Sequence, residues 1–272
     1  MKQTYLLFAA CLITIGCSSL PGHFISLETE SIVPFDRVLE EIGDERVIFV
    51  GEMHGDRKSH RVEFEVLKYL HEQGDEVVIA FEMFPYTEQD VLDQWINGTI
   101  NEREFIGRYH RIVNMPFQTY KKILRYARSN GIPVIGINAE KALISTVSKG
   151  GTANISSSVL EKIKFHECSD EDSYSRILGF STGRKYHKSQ MAYLCDGQRL
   201  RDAHMSYHIA RLLKARDVKV VAMVGVLHAI KAAVPDMLQD HTPVSYRVLM
   251  PATVRDMVEA GNDTDIADYV WY

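Results

Sequence analysis

Val47-Ile48-Phe49-Val50-Gly51-Glu52-Met53-His54 decides the fold: an unbroken apolar run enters a Gly-x-x-His tetrad. A run that is apolar at both parities is buried on both faces, as a strand inside a parallel sheet is. The same pattern returns in Val218-Lys219-Val220-Val221-Ala222-Met223-Val224, followed by Gly225-Val226-Leu227-His228. The chain has 17 Gly and 11 His in 272 residues, from which about 0.7 such tetrads arise by chance. Three occur. The third, Gly107-Arg108-Tyr109-His110, follows no apolar run and reads as the chance match. In a parallel α/β sheet, ligands collect beyond the carboxyl ends of the strands. Two strands of one sheet pointing the same way therefore bring both tetrads to one rim.

Further strand-like runs are Glu76–Glu82, Ile132–Asn138 and Val244–Met250, beside Arg46–Gly51 and Val218–Val224. Helical patterns cover Arg57–Gln73, Thr87–Asn97, Phe117–Ser129 and a long stretch from about Lys185 to Ala215. Alternation of the two predicts an α/β fold with a mostly parallel sheet flanked by helices. Residues 139 to 184 fit the alternation less well. They hold Gly150-Gly151, a serine cluster and a helical pattern from Ser157 to Phe165. With the start of the long helix they are expected to form a helical cap.

The N-terminus reads as a secretion signal over residues 1–16. Lys2 precedes an apolar run, Tyr5 to Ile15, too short to span a bilayer. The run leads to Thr14-Ile15-Gly16-Cys17-Ser18-Ser19, which resembles a bacterial lipobox, with Thr14 where Leu is usual. That resemblance implies lipidation of Cys17. The polar stretch with Pro21, Gly22 and Pro34 reads as a tether over 17–34, and the rest as one domain over 35–272. The lipid would anchor the protein at the outer membrane, facing the periplasm, without spanning it. Cys168 and Cys195 remain as a disulfide or two free thiols. The net charge is −5 with no basic run, so nucleic acid is not an expected partner. A phosphate loop, a nucleophile-elbow Ser and a Cys-x-x-Cys are absent from the sequence, which disfavours kinase, dinucleotide and serine-hydrolase readings.

The strand ends place Glu52, His54, Glu82 and His228 at one rim, with Asn138 nearby. Buried carboxylates need a cation, a metal or a proton. Two His and two Glu can ligate a divalent metal ion or serve acid–base chemistry. Polar strand ends also simply cap the next helix. On the long helix, Arg201 and Asp202 stand beside an apolar stripe and can reach the rim carboxylates, or lie on a solvated edge. His204 and His208 are one turn apart, a zinc-capable spacing that is more often incidental on a helix. Among the many tyrosines, Tyr86 and Tyr120 follow a rim segment or start a helix. A phenolate can ligate haem iron, although most tyrosines are packing residues. Met83, Phe84 and Phe117 are expected to offer a flat apolar platform.

These stretches together resemble the ChaN family of haem-binding lipoproteins, within the Tiki superfamily. The matching elements are Val50-Gly51-Glu52-Met53-His54-Gly55, Phe81-Glu82-Met83-Phe84-Pro85 and Pro116-Phe117-x-x-Tyr120. Gly131-Ile132-Pro133-Val134 with Asn138-Ala139, Arg201-Asp202-x-x-Met205 and Gly225-x-x-His228 complete the set. The resemblance implies an outer-membrane-associated binding protein that holds haem through a Tyr between two copies, in iron acquisition with a haem or iron receptor as partner. Tyr120, Tyr86 and Tyr193 are the ligand candidates, with Arg201 beside them. The superfamily also includes metal-dependent peptidases with paired Gly-x-x-His motifs and a Glu, and erythromycin-esterase-like hydrolases are similar in His and Glu placement. The rival expectation is therefore a metal-dependent hydrolase using Glu52, His54, Glu82 and His228. Lys149 to Lys188 matches the family weakly, so the Tyr stays open among the three.

Overall fold

The computed structural model describes residues 23–168, 188–254 and 266–272. The leader, Cys17 and part of the cap segment lie outside these residues. Strands are β1 (His23–Ser26), β2 (Ser31–Pro34), β3 (Val47–Glu52), β4 (Val77–Pro85), β5 (Val134–Asn138), β6 (Lys219–Gly225), β7 (Tyr246–Pro251) and β8 (Tyr269–Trp271). Helices are α1 (Phe35–Ile42), α2 (Arg57–Glu72), α3 (Gln89–Ile96), α4 (Glu102–Ile112), α5 (Phe117–Asn130), α6 (Lys141–Gly150) and α7 (Ser157–Lys162). Then follow α8 (Lys188–Ala215), α9 (Val226–Ala229) and α10 (Val234–His241).

The strands form one sheet in the order β2-β1-β8-β7-β3-β6-β4-β5. The six from β8 to β5 are mutually parallel, and β1 is antiparallel to both of its neighbours. Successive strand residues point to opposite faces, which explains why the central strands are apolar throughout. Ile48, Val50, Ile79, Phe81, Val221 and Met223 pack on one face beneath α1 to α5. Val47, Phe49, Val78, Ala80, Val220 and Ala222 pack on the other, against α8 and α10. The central strands β3 and β6 lie side by side, so both tetrads leave the sheet at its carboxyl edge. Asp56 starts α2 there by accepting from the Ser59 amide at 2.9 Å and the Ser59 hydroxyl at 2.8 Å.

One expectation changes and the open ones are resolved. Residues 23–34, read as tether, form the β1–β2 hairpin and join the sheet. Buried Phe24 anchors it, stacked on Phe35 with centroids 4.8 Å apart and packed on Trp271 at 5.8 Å. Four-residue strands carry too little alternation to be seen in sequence. Gly107-Arg108-Tyr109-His110 lies within α4, which opens on a capping box between Asn101 and Glu104. The cap segment contains α6 and α7, and α6 packs along α8. Cys168 and Cys195 are bonded to each other across a separation of 27 residues. Among the described residues, no helix is long and apolar enough to cross a membrane.

A disulfide closing a loop of that length stabilises by roughly 3 kcal/mol in the chain-entropy account. Cys195→Ser is expected to lower the melting temperature by several degrees without changing the far-ultraviolet circular dichroism. The same shift is expected for the parent protein under reducing conditions, and equal melting with and without reductant contradicts the bridge.

Candidate functional site

The two tetrads interlock. In the β3–β6 ladder Glu52 pairs with Gly225. A Cβ on Gly225 would stand 3.2 Å from the His54 imidazole and 3.5 Å from Glu82 Oε2. A Cβ on Gly51 would stand 3.0 Å from Ala229 Cβ, the neighbour of His228. Gly225 thus leaves room for the other tetrad, and Gly51 for Met250 and for the residue after His228. The Gly–His spacing expresses close packing of two neighbouring strands.

A continuous polar chain crosses this rim. Tyr120 Oη and His54 Nδ1 both donate to Glu52 Oε1, each at 2.5 Å. The carboxylate partner places the His54 proton on Nδ1 and leaves Nε2 as the free nitrogen of a side chain that is 45% exposed. Beside it, fully buried Glu82 accepts the Gly225 amide at 2.6 Å on Oε2 and the Arg201 guanidinium on Oε1. Arg201 also donates to Gln198 Oε1 at 3.0 Å and Asn138 Oδ1 at 3.3 Å. His228 Nε2 stands 3.7 Å from Glu82 Oε1, while its Nδ1 donates to buried Asp202 Oδ1 at 2.5 Å.

Charge neighbours outweigh burial here. Burial alone pushes the Glu82 carboxyl up, but His228, Arg201 and His54 hold it below its ordinary value. The bond to Glu52 raises His54 against the opposing effect of burial. Glu52 is pushed up by burial, yet its bonds to His54 and His60 and their charges bring it down to about 2.

His60 and Glu63 are site residues that the sequence reading missed. His60 Nδ1 lies 3.0 Å from Glu52 Oε2 and 2.9 Å from Glu63 Oε2. Burial lowers His60, and the two carboxylates overcome it, raising the ring to about 10. Burial first, then the Glu52 charge, lifts Glu63 to about 8. The available signal was periodicity: Ser59, Val62, Glu63, Val66, Leu67 and Leu70 form the buried stripe of α2, and an acidic residue stands in it.

The expected four-ligand metal set is not what forms. Among the described residues, the one group whose donor atoms all lie within 4.8 Å of one another is Glu52, His60 and Glu63. Glu82 takes Arg201 as its cation, and His228 is directed to Asp202, so Glu52, His54, Glu82 and His228 do not surround a single point. His204 and His208 likewise stack on Tyr86, with ring centroids 5.5 and 4.6 Å away, and burial depresses them to about 4 and about 3.

The tyrosine candidates separate by environment. Tyr120 is fully buried, its hydroxyl is committed to Glu52, and burial and the nearby carboxylates raise it far above its ordinary value. It is not presented as a phenolate. Tyr86 is raised by burial and by Glu140. Tyr193 is 38% exposed on α8. At about 1.5 Å per residue it stands roughly 12 Å along the helix beyond Arg201. Phe84 and Phe117 are buried in the core and offer no platform, whereas Met53 is 40% exposed. Beside the rim, a cavity of about 530 Å³ between the starts of α2 and α5 is lined by Gly55, Arg57, His60, Arg61 and Lys122, among others. That volume suits a cofactor-sized ligand, and its cations suit one bearing carboxylates. Of the groups able to ligate a haem iron, the His54 imidazole with its free nitrogen stands at this rim, and Tyr193 is an exposed phenol beside Gly151.

The sequence profile described as "Haem-binding uptake, Tiki superfamily, ChaN" matches residues 38–238, and the chain belongs to this family. No curated protein matches the chain. Among solved structures, "Cofacial heme binding to ChaN of Campylobacter jejuni" superposes with a TM-score of 0.71 at 19% identity, over 91% of this chain and 95% of that one. An erythromycin esterase mutant, EreC H289N in its open conformation, gives 0.52 at 13%, covering 84% and 76%. The type III effector HopBA1 gives 0.50 at 14%, covering 87% and 91%. At these identities the structural likenesses establish the fold only.

Removing one partner of a buried pair strands the other. Glu82→Gln is expected to cost roughly 3 kcal/mol in urea unfolding, and adding Arg201→Gln to recover part of that. Simple additivity rejects the pair. Glu52, low in the folded state, stabilises fully above its ordinary value near 4.5. That contribution fades as pH falls toward about 2. Glu52→Gln should flatten the acid limb of stability against pH, and an unchanged limb counts against the assignment.

Proposed function

We propose that this chain binds haem beyond the carboxyl edge of its sheet and handles it as a lipid-anchored protein of the bacterial cell envelope. Membership of the haem-binding uptake family carries the reading. The cationic cavity beside the rim supports it, because haem brings two carboxylates and a large apolar face. Tyr193, the exposed member of the three tyrosine candidates, is the proposed iron ligand. Arg57, Arg61 and Lys122 are the proposed partners of the propionates. Haem supplies a bound iron for storage or transfer, and the chain's part is to hold it, neutralise it and shield it from water.

The remaining features extend the same proposal. Cys17 carries the lipid and holds the protein at the outer membrane, facing the periplasm. A second copy covers the exposed haem face, and a haem or iron receptor of the outer membrane is the exchange partner. The hydrolase alternative is not favoured, because Arg201 already neutralises Glu82 and the four proposed ligands do not converge.

Haemin titrated into the purified chain should give a saturable complex with a shifted Soret band near one equivalent. Tyr193→Phe should weaken it at least tenfold and change the band shape. A spectrum that stays that of free haemin rejects the proposal. Retention in Tyr193→Phe with loss in His54→Ala moves the ligand to the imidazole. Light scattering with and without haemin checks the pairing of copies.

A further inference from the structure

We propose that Glu52, His60 and Glu63 form a buried binding site for one divalent first-row metal ion such as zinc, separate from haem. The three donors converge from the end of β3 and the first two turns of α2. Glu52 Oε2 and Glu63 Oε2 stand 3.0 and 2.9 Å from His60 Nδ1. Zinc bonds of about 2.0–2.1 Å in tetrahedral array separate neighbouring donors by roughly 3.3 Å. Both His60–carboxylate separations therefore need to open by only a few tenths of an ångström to admit an ion, and all three donors already lie within 4.8 Å of one another.

Independent observations point to a missing partner. Glu63 has no exposed surface, and its Oε1 is buried without a hydrogen bond. His60 Nε2 is buried without one as well, and Glu52 Oε2 is buried with only the 3.0 Å approach of His60 Nδ1. The Tyr109 hydroxyl is a further buried orphan, close enough to feel the Glu52 charge. Unmade hydrogen bonds at buried polar atoms are costly, and this many in one place calls for an occupant. Two carboxylates and one neutral imidazole balance the charge of a divalent ion. Carboxylate and imidazole donors without thiolate suit zinc, manganese or ferrous iron.

The surroundings form a supporting shell. Tyr120 and His54 hold the other oxygen of Glu52, so the carboxylate is oriented before any ion arrives. The cavity reaches His60 and gives a route in. Its mouth carries Arg57, Arg61 and Lys122, so entry of a free cation is expected to be slow. Glu52 thus faces two ways, with one oxygen toward the open rim and one toward the closed cluster.

The test uses the haem-free full chain, stripped with chelator and incubated overnight with zinc chloride at moderate salt, then dialysed. Metal analysis should find one zinc per chain, with the melting temperature rising as zinc is added. Glu63→Gln and His60→Gln should each cut retention at least tenfold and abolish the thermal shift. Cobalt loaded in place of zinc should show visible bands that are lost in the same variants. A stripped wild type that takes up no zinc overturns the proposal. So does retention in Glu63→Gln, or a loss that follows His228→Gln while Glu63→Gln binds normally. Should Glu63→Gln lose its native circular dichroism, His60→Gln and the wild-type stoichiometry still decide. Haem enters none of these measurements, so failure here leaves the haem proposal standing and the reverse holds too.

Discussion

A buried carboxylate must be neutralised where it sits, and the rim of this sheet is organised around that requirement at Glu82. The residue lies in the last half of β4 and is 1% exposed, so water cannot solvate it. Its compensation comes from three distant parts of the chain: the Gly225 amide from β6, the Arg201 guanidinium from α8, and the imidazoles of both tetrads. The arrangement holds only while β3 and β6 stay in register. A slip of one residue would carry Glu52 and His54 away from Gly225 and place a side chain where the imidazole now lies. The close packing of the tetrads and the charge balance of the rim are one constraint seen twice.

Glu52 extends that constraint into two compartments. On the outer side it orients His54 and leaves an imidazole nitrogen free at the surface. On the inner side it meets His60 and Glu63, enclosed and short of hydrogen-bond partners. The outer compartment has the exposure, the neighbouring cavity and the cations that a large anionic ligand requires. The inner one has the size and donors for a single ion. One fold serves proteins as different as a haem binder, an esterase and a type III effector. Function in this architecture is therefore decided by which side chains line the rim.

Much of the frame was legible in advance. The five central strands and helices α2, α3, α5 and α8 lie where period and flanking residues place them, because burial on both faces leaves an unbroken apolar run and one-sided packing leaves a stripe. The β1–β2 hairpin, β8 and helices α1, α4, α6, α9 and α10 were not foreseen. The strands are too short for their period to rise above the background, whereas α4 carries a buried stripe of Phe105, Tyr109 and Ile112 that the reading passed over. The arrival of Glu52, His54, Glu82 and His228 at one rim also followed from sequence, since parallel strands deliver their ends to the same edge.

Pairing within that rim was another matter. The sequence alone determined which residues stand at the carboxyl edge and that their charges need compensation. Only the tertiary structure decided that Arg201 neutralises Glu82, that His228 turns to Asp202, that Tyr120 is buried against Glu52, and that His60 and Glu63 complete a second cluster. The physical reason is that periodicity sets which way a side chain faces. The partner it meets depends on how helices from remote segments lie across the sheet, within the 3 Å over which a hydrogen bond or ion pair is made or lost.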